Sequence, residues 1–132
     1  MAYRDQRRLP PSSAVTAIGL DHVRLSYLYL DSRDIDAYGS LLAEEVQVTR
    51  PDTTPRSGRH NVLNMHRGPE APRERHQIFK TVADGDCVAV MGRVIRTEAD
   101  PAQPDVDFAD FFTLSEDGML LGCRRFYFAP PA

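Results

Sequence analysis

Asp110 stands in VDFADFFTL, residues 106–114, where alternation gives Val106, Phe108, Asp110, Phe112 and Leu114 one face and Asp107, Ala109, Phe111 and Thr113 the other. A carboxylate among apolar neighbours must be ion-paired, hydrogen-bonded or protonated, and a protonated one with a raised pKa can act as an acid at neutral pH. Both outcomes stay open on the sequence. In MLLGCRRFYF, Leu121, Cys123, Arg125 and Tyr127 share one face of the next strand, and Leu120, Gly122, Arg124, Phe126 and Phe128 share the other. Alternation does not say which face looks inward. If it is the first, Asp110, Arg125 and Tyr127 converge beside Phe112 and Cys123, and an acid, a cation and a phenol could act on a bound carbonyl or enol. His76, in RHQIFKTV, shares a face with Ile78 and is the side chain type best suited to move a proton at pH 7.

A second polar set lies near the N-terminus. At about 100° per residue, Val15, Ile18, Val23, Leu25 and Leu30 form one helical arc, and His22, Ser26, Tyr29 and Arg33 fall inside it. Hydrogen-bonding side chains in a core-facing stripe need partners or a wet cavity. These residues are therefore candidates for lining a pocket. His60 and His66, six apart, do not match the i,i+4 spacing of a helical zinc pair, so no metal is expected. No G-x-S-x-G, G-x-x-x-x-G-K or G-x-G-x-x-G run occurs, so no hydrolase elbow, nucleotide loop or dinucleotide cofactor is expected.

The elements that must position these groups follow from punctuation. Residues 1–12 read as a flexible arm and 13–132 as a single domain. Ser12 or Ser13 caps a helix over about 14–31, and Asp34 caps a second carrying Ile35, Tyr38, Leu41 and Leu42. A short strand is expected at about 46–50, then the loop PDTTPRSG and a short helix in RHNVLNMHR. Four strand-like runs follow, HQIFKTV, CVAVMGRVIRT, VDFADFFTL and MLLGCRRFYF, joined by turns such as Asp84-Gly85-Asp86 and Glu116-Asp117-Gly118. Helices first and an antiparallel meander afterwards argue an α+β fold, with helices on one face of a curved sheet.

Of the 132 residues, 42% are hydrophobic, enough for one core, and the net charge of −3 offers no basic field for nucleic acid. No run approaches the roughly 18 apolar residues of a membrane span, and the chain reads as soluble and cytoplasmic. Cys87 and Cys123 match neither a redox pair nor a zinc set and read as free, buried thiols.

In order and spacing, YLYLDSRDIDAYGSLLAEEVQVTRP, PRSGRHNV, RHQIFKTVADGDCVAV and DFADFFTLSEDGMLLGCRRFYF resemble the nuclear transport factor 2-like superfamily. Its members include SnoaL-like polyketide cyclases, ketosteroid isomerases and scytalone-dehydratase-like enzymes. The resemblance implies a cystatin-like cone: a bent antiparallel sheet wrapped around N-terminal helices, enclosing an apolar pocket, commonly in homodimers. It turns the Arg125 face inward. The ketosteroid-isomerase pattern would put its oxyanion-stabilising acid at Asp110, its phenol near Ser26 and its carboxylate base near Arg50, so two of those three positions differ. In the dehydratase-like branch an Arg-His pair such as Arg75-His76 supplies the base, and SnoaL-type cyclases rely on a pocket acid, for which Asp110 is the candidate.

The implied function is cofactor-independent acid–base chemistry on a hydrophobic, oxygenated small molecule in a biosynthetic pathway: cyclisation, isomerisation or dehydration. Asp110 and His76 would be catalytic, with Arg125, Tyr127, His22, Ser26, Tyr29, Arg50, Phe112 and Cys123 around the substrate. The alternative is a non-catalytic carrier of the same fold. Phe111, Phe126 and Phe128, with Ala109, leave an apolar outer sheet face, through which a homodimer is expected.

Overall fold

The computed structural model describes residues 12–69, 71, 73–96 and 102–128, so the expected arm lies, apart from Ser12, outside the described residues. Helix α1 spans Ser13–Asp31, and the Ser12 side chain caps it by accepting from the Val15 amide. Its C-terminus is a Schellman turn. Arg33, at φ 64°, donates its amide to the Leu30 carbonyl, and the Asp34 amide donates to that of Tyr29. A non-glycine residue in the left-handed region is strained, and here that conformation reverses the chain so that Asp34 can cap α2, Ile35–Gly39.

The expected second helix is cut short. Leu41 and Leu42 are buried not on a helix but in the turn after α2 and at the start of β1, Leu42–Thr49, which begins four residues earlier than the pattern suggested. Then come β2 (Arg56–Ser57), α3 (Arg59–Met65), β3 (Arg75–Asp84), β4 (Cys87–Ile95), β5 (Val106–Leu114) and β6 (Leu120–Tyr127). The meander β3-β4-β5-β6 is antiparallel as expected, but β1 adds to β6 in parallel, giving a six-stranded mixed sheet in the order β2-β1-β6-β5-β4-β3. The architecture is α+β, with the helices preceding most of the sheet.

Two local departures decide which side chains face inward. In β6 the register slips beside the hairpin, so that Thr113 pairs with Gly122 but Leu114 pairs with Leu120. This bulge turns Leu120 into the core, contrary to strict alternation, while leaving Cys123, Arg125 and Tyr127 on the inner face. In α1 the buried row is Gly19, Val23, Ser26 and Tyr27, whereas Ile18 is exposed. The expected arc was centred too far to one side, because Gly19, lacking a side chain, gives no hydrophobic signal. At Gly19 α1 packs tightly on the sheet: a Cβ there would run into the Leu114 side chain.

Candidate active site

Asp110 and Arg125 are direct partners across the β5–β6 ladder, and the inner face on which they meet is the core side of the sheet. Asp110 is 1% exposed and Arg125 7%. The guanidinium grips the carboxylate in a fork, Nε to Oδ1 at 2.8 Å and Nη2 to Oδ2 at 2.9 Å, and Tyr27 donates its hydroxyl to Oδ2 at 2.6 Å. Three donors on two oxygens are the geometry of a carboxylate that only accepts. Burial and the adjoining Asp110 charge push the Tyr27 phenol well above its ordinary value, so it remains a donor. Arg125 also lies over the Phe108 ring, 4.4 Å from its centroid.

From Arg125 the chain of contacts runs to His76 at the start of β3. Arg125 Nη2 donates to His76 Nε2 at 3.0 Å, and His76 Nδ1 donates to Asp31 Oδ1 at 2.6 Å. Arginine offers no acceptor, so this arrangement requires a neutral imidazole with its proton on Nδ1. Asp31, in the last turn of α1, also accepts the His76 backbone amide at 2.9 Å on its second oxygen. It thereby fixes ring and strand together.

A second ionic group surrounds Glu74, which Arg50 approaches at 2.9 Å, Arg125 at 3.4 Å and Arg96 at 3.5 Å. Burial alone would raise the Glu74 carboxyl, but the Arg50 charge wins and holds it below its ordinary value. Tyr127 accepts from Arg50 at 2.7 Å and Arg96 at 3.0 Å and donates to Asp52 at 3.1 Å. Two small cavities open among these groups. One, of about 50 Å³, is lined by Ser26, Tyr27, Arg50, Asp110, Cys123 and Arg125 among others, with Phe112, Tyr38 and His66 also in its wall. The other, of about 40 Å³, shares Leu30, Arg50, His66 and Arg125 with it and adds Arg33, Glu74 and His76. Each has room for a few water molecules, and a ring-sized ligand enters only if lining side chains move.

Of the residues singled out in the sequence, Ser26, Arg50, Asp110, Phe112, Cys123 and Arg125 meet in the first cavity, His76 joins in the second, and Tyr127 ties Arg50 in place. His22 and Tyr29 do not join them. The His22 ring donates to the Gly118 carbonyl at 2.8 Å, securing α1 to the β5–β6 turn, and Tyr29 packs half-buried at the margin of the core. Cys87 is exposed rather than buried, whereas burial pushes the Cys123 thiol well above its ordinary value and keeps it protonated.

Tyr27, Asp31, Tyr38, His66 and Glu74 escaped the sequence reading. For Tyr27 and Asp31 a signal existed: Gly19, Val23, Tyr27 and Asp31 form one i,i+4 row. Tyr27, the residue after Ser26, places its phenol on Asp110, and Arg50 is a buried cation where the resemblance would put a carboxylate base. Among the described residues no group of three or more His, Cys, Asp or Glu could hold a metal ion, and no helix is long and apolar enough to cross a membrane.

A model of the SnoaL-like domain matches residues 23–121, most of the chain and every strand up to the start of β6. The protein belongs to the SnoaL-like domain family. Solved structures similar to this SnoaL-like chain share its nuclear transport factor 2-like, cystatin-like fold. A "putative ketosteroid isomerase" from Kribbella flavida DSM 17836 is 20% identical, with a TM-score of 0.71 over 89% of this chain and 84% of that one. A protein of unknown function with a cystatin-like fold from Methylobium petroleophilum PM1 is 16% identical, with a TM-score of 0.73 over 94% and 82%. Bal32a, from a soil-derived mobile gene cassette, is 16% identical, with a TM-score of 0.72 over 86% and 92%. At these identities the likeness is one of fold. No curated protein sequence matches the chain.

Proposed function

We propose that this SnoaL-like protein is a cofactor-independent acid–base catalyst acting on a small oxygenated molecule, by proton abstraction next to a carbonyl or enol oxygen. The observation behind this reading is the Asp31–His76–Arg125 chain: a neutral imidazole, oriented by a carboxylate, whose remaining nitrogen accepts from a buried cation, both side chains lining a small cavity. In the free protein Arg125 Nη2 occupies that nitrogen. When a substrate oxygen takes the Arg125 hydrogen bond, His76 Nε2 becomes free to remove a proton from the adjacent carbon, and the guanidinium faces the oxygen on which negative charge grows. Asp31 then stabilises the imidazolium. Asp110, doubly bonded to Arg125 and bonded to Tyr27, acts in this scheme as a positioning residue for the cation, in line with the ion-paired of the two outcomes the sequence left open.

The test is hydrogen–deuterium exchange at the carbon next to the carbonyl of cyclohexanone and 2-cyclohexenone, followed by proton NMR in D2O. The wild type should accelerate exchange, and His76→Ala should lose about 10²-fold or more of that rate with an unchanged melting transition. Binding of these ketones without exchange would instead establish the carrier alternative, which the complete pairing of Asp110 in the free protein favours. The same proposal includes a homodimer. Phe111 and Phe126 meet edge to face on the outer sheet surface, and with Phe128 and Phe79 each is about half exposed, an apolar patch that a second copy would cover.

A further inference from the structure

Two polar side chains line the same cavity as the Asp110–Arg125 fork without a side-chain hydrogen bond of their own. Tyr38, on α2, and His66, just after α3, are each 6% exposed and line that cavity, with their rings 5.2 Å apart and edge to face. Among the described residues neither the Tyr38 hydroxyl nor a His66 ring nitrogen makes a hydrogen bond; His66 is held by its backbone, whose amide donates to Leu63 and whose carbonyl accepts from Arg33. Among the described residues the one enclosed side-chain atom without a partner is Arg56 Nε, so the polar atoms of Tyr38 and His66 are not sealed away and water or a ligand in the cavity can reach them. A pair facing one cavity points to a ligand that completes them.

The character of the pair defines that ligand. Burial pushes the Tyr38 phenol above its ordinary range, so it stays a neutral hydroxyl. Burial, reinforced by the Arg50 charge, lowers His66 to about 4, so at neutral pH its ring offers one donor and one acceptor and no charge. The same cavity also holds the contrasting case, a full guanidinium paired to a carboxylate. Arg125 therefore suits an oxygen that gains negative charge, and the Tyr38–His66 pair suits an oxygen that stays neutral.

We infer that Tyr38 and His66 form a recognition site for a second, uncharged hydroxyl or carbonyl oxygen of the substrate. The inference rests on the acid–base reading above and narrows its substrate class to small molecules with two separated oxygen functions. One oxygen binds at Arg125 beside His76; the other exchanges hydrogen bonds with Tyr38 and His66. A site built to hydrogen-bond an oxygen discriminates strongly against the analogue lacking it, because the buried groups are then left unpaired.

Matched probes test this: cyclohexanone against 3-hydroxycyclohexanone and 4-hydroxycyclohexanone, with dissociation constants from ligand-observed NMR. The wild type should bind at least one hydroxylated ketone about tenfold more tightly than cyclohexanone. Tyr38→Phe and His66→Leu should each erase most of that preference, while His66→Gln, which keeps a donor and an acceptor, should retain it. A purely structural role would change all three ligands together and leave the ratio intact. Should Tyr38→Phe fail to fold, the His66→Leu and His66→Gln pair decides the matter. Cyclohexanone binding with no wild-type preference, or a preference unmoved by the variants, overturns the inference alone; failure of the wild type to bind any of the ketones overturns it together with the reading beneath it.

Discussion

Two arginine–aspartate pairs bridge neighbouring strands of this sheet, one on each face. Inside, Arg125 on β6 meets Asp110 on β5 at 2.8 Å, with side chains 6% and 1% exposed. Outside, Arg93 on β4 meets Asp107 on β5, also at 2.8 Å, with both side chains 45% exposed. The contacts are equally short, and both pairs sit directly opposite in their ladders. Their surroundings differ entirely. Water screens the outer charges and can replace either partner, so the pair adds little. The inner charges have no such replacement. Each needs the other, and the remaining guanidinium donors must find Glu74 and His76. Burial therefore turns a surface motif into a fixed polar frame, and that frame presents His76 to the cavity.

The largest effect that could break this contrast is a charge stranded indoors. Arg125→Met should lower the unfolding free energy by about 3–5 kcal/mol, because Asp110 keeps its burial and loses its cation. Arg93→Ala should leave the denaturation midpoint unchanged. Similar losses in urea titrations of the two variants would refute the distinction drawn between the faces.

Asp31→Asn comes next. It preserves the shape around His76 but removes the charge that balances the imidazolium, so ketone proton exchange should fall by about 10²-fold while cyclohexanone still binds. A variant as fast as the wild type would leave the Asp31–His76 contact a purely structural one.

A third effect sharpens the contrast through pH. His66 titrates at about 4 in the folded protein, lowered by burial and then by the Arg50 charge, with Arg33 and His76 acting in the same sense and Glu74 against them. The unfolded chain takes up the proton near its ordinary value of 6.5, so this contribution is present above pH 6.5 and is lost as the pH falls towards 4. The slope should reach about 1.4 kcal/mol per pH unit within that window, and His66→Gln should flatten it. Equal pH profiles for the two proteins, from denaturant melts between pH 4 and 7, would contradict the assignment.

The smallest effect on the interior comes from the outside. Phe111→Lys with Phe126→Lys should convert a dimer into a monomer in sedimentation at micromolar concentration, while ketone exchange stays within about twofold of the wild type. A wild type that sediments as a monomer would remove the dimer from the proposal.

The sequence by itself determined the elements and the membership of their faces. Caps at Ser12 and Asp34, the glycine turns and the alternation of β5 are local, and each operates within a few residues. Asp110 was visible for that reason: a carboxylate between Phe108 and Phe112 is anomalous wherever the strand lies. What surrounds Asp110 was not visible. Tyr27 reaches it across 83 residues of chain, Arg125 across 15, and Asp31 meets His76 across 45. Alternation is symmetric about a strand, so it cannot say that the Arg125 face is the inner one. That choice is made where α1, seated on the sheet at Gly19, covers one side, and where β1 joins β6 in parallel. Likewise His66 and Tyr38 look like ordinary members of short helices until packing places both against one cavity. Local periodicity assigned side chains to faces; only the packing of helices on one side of the sheet decided which face would lose its water, and with it which ordinary residues would acquire unusual chemistry.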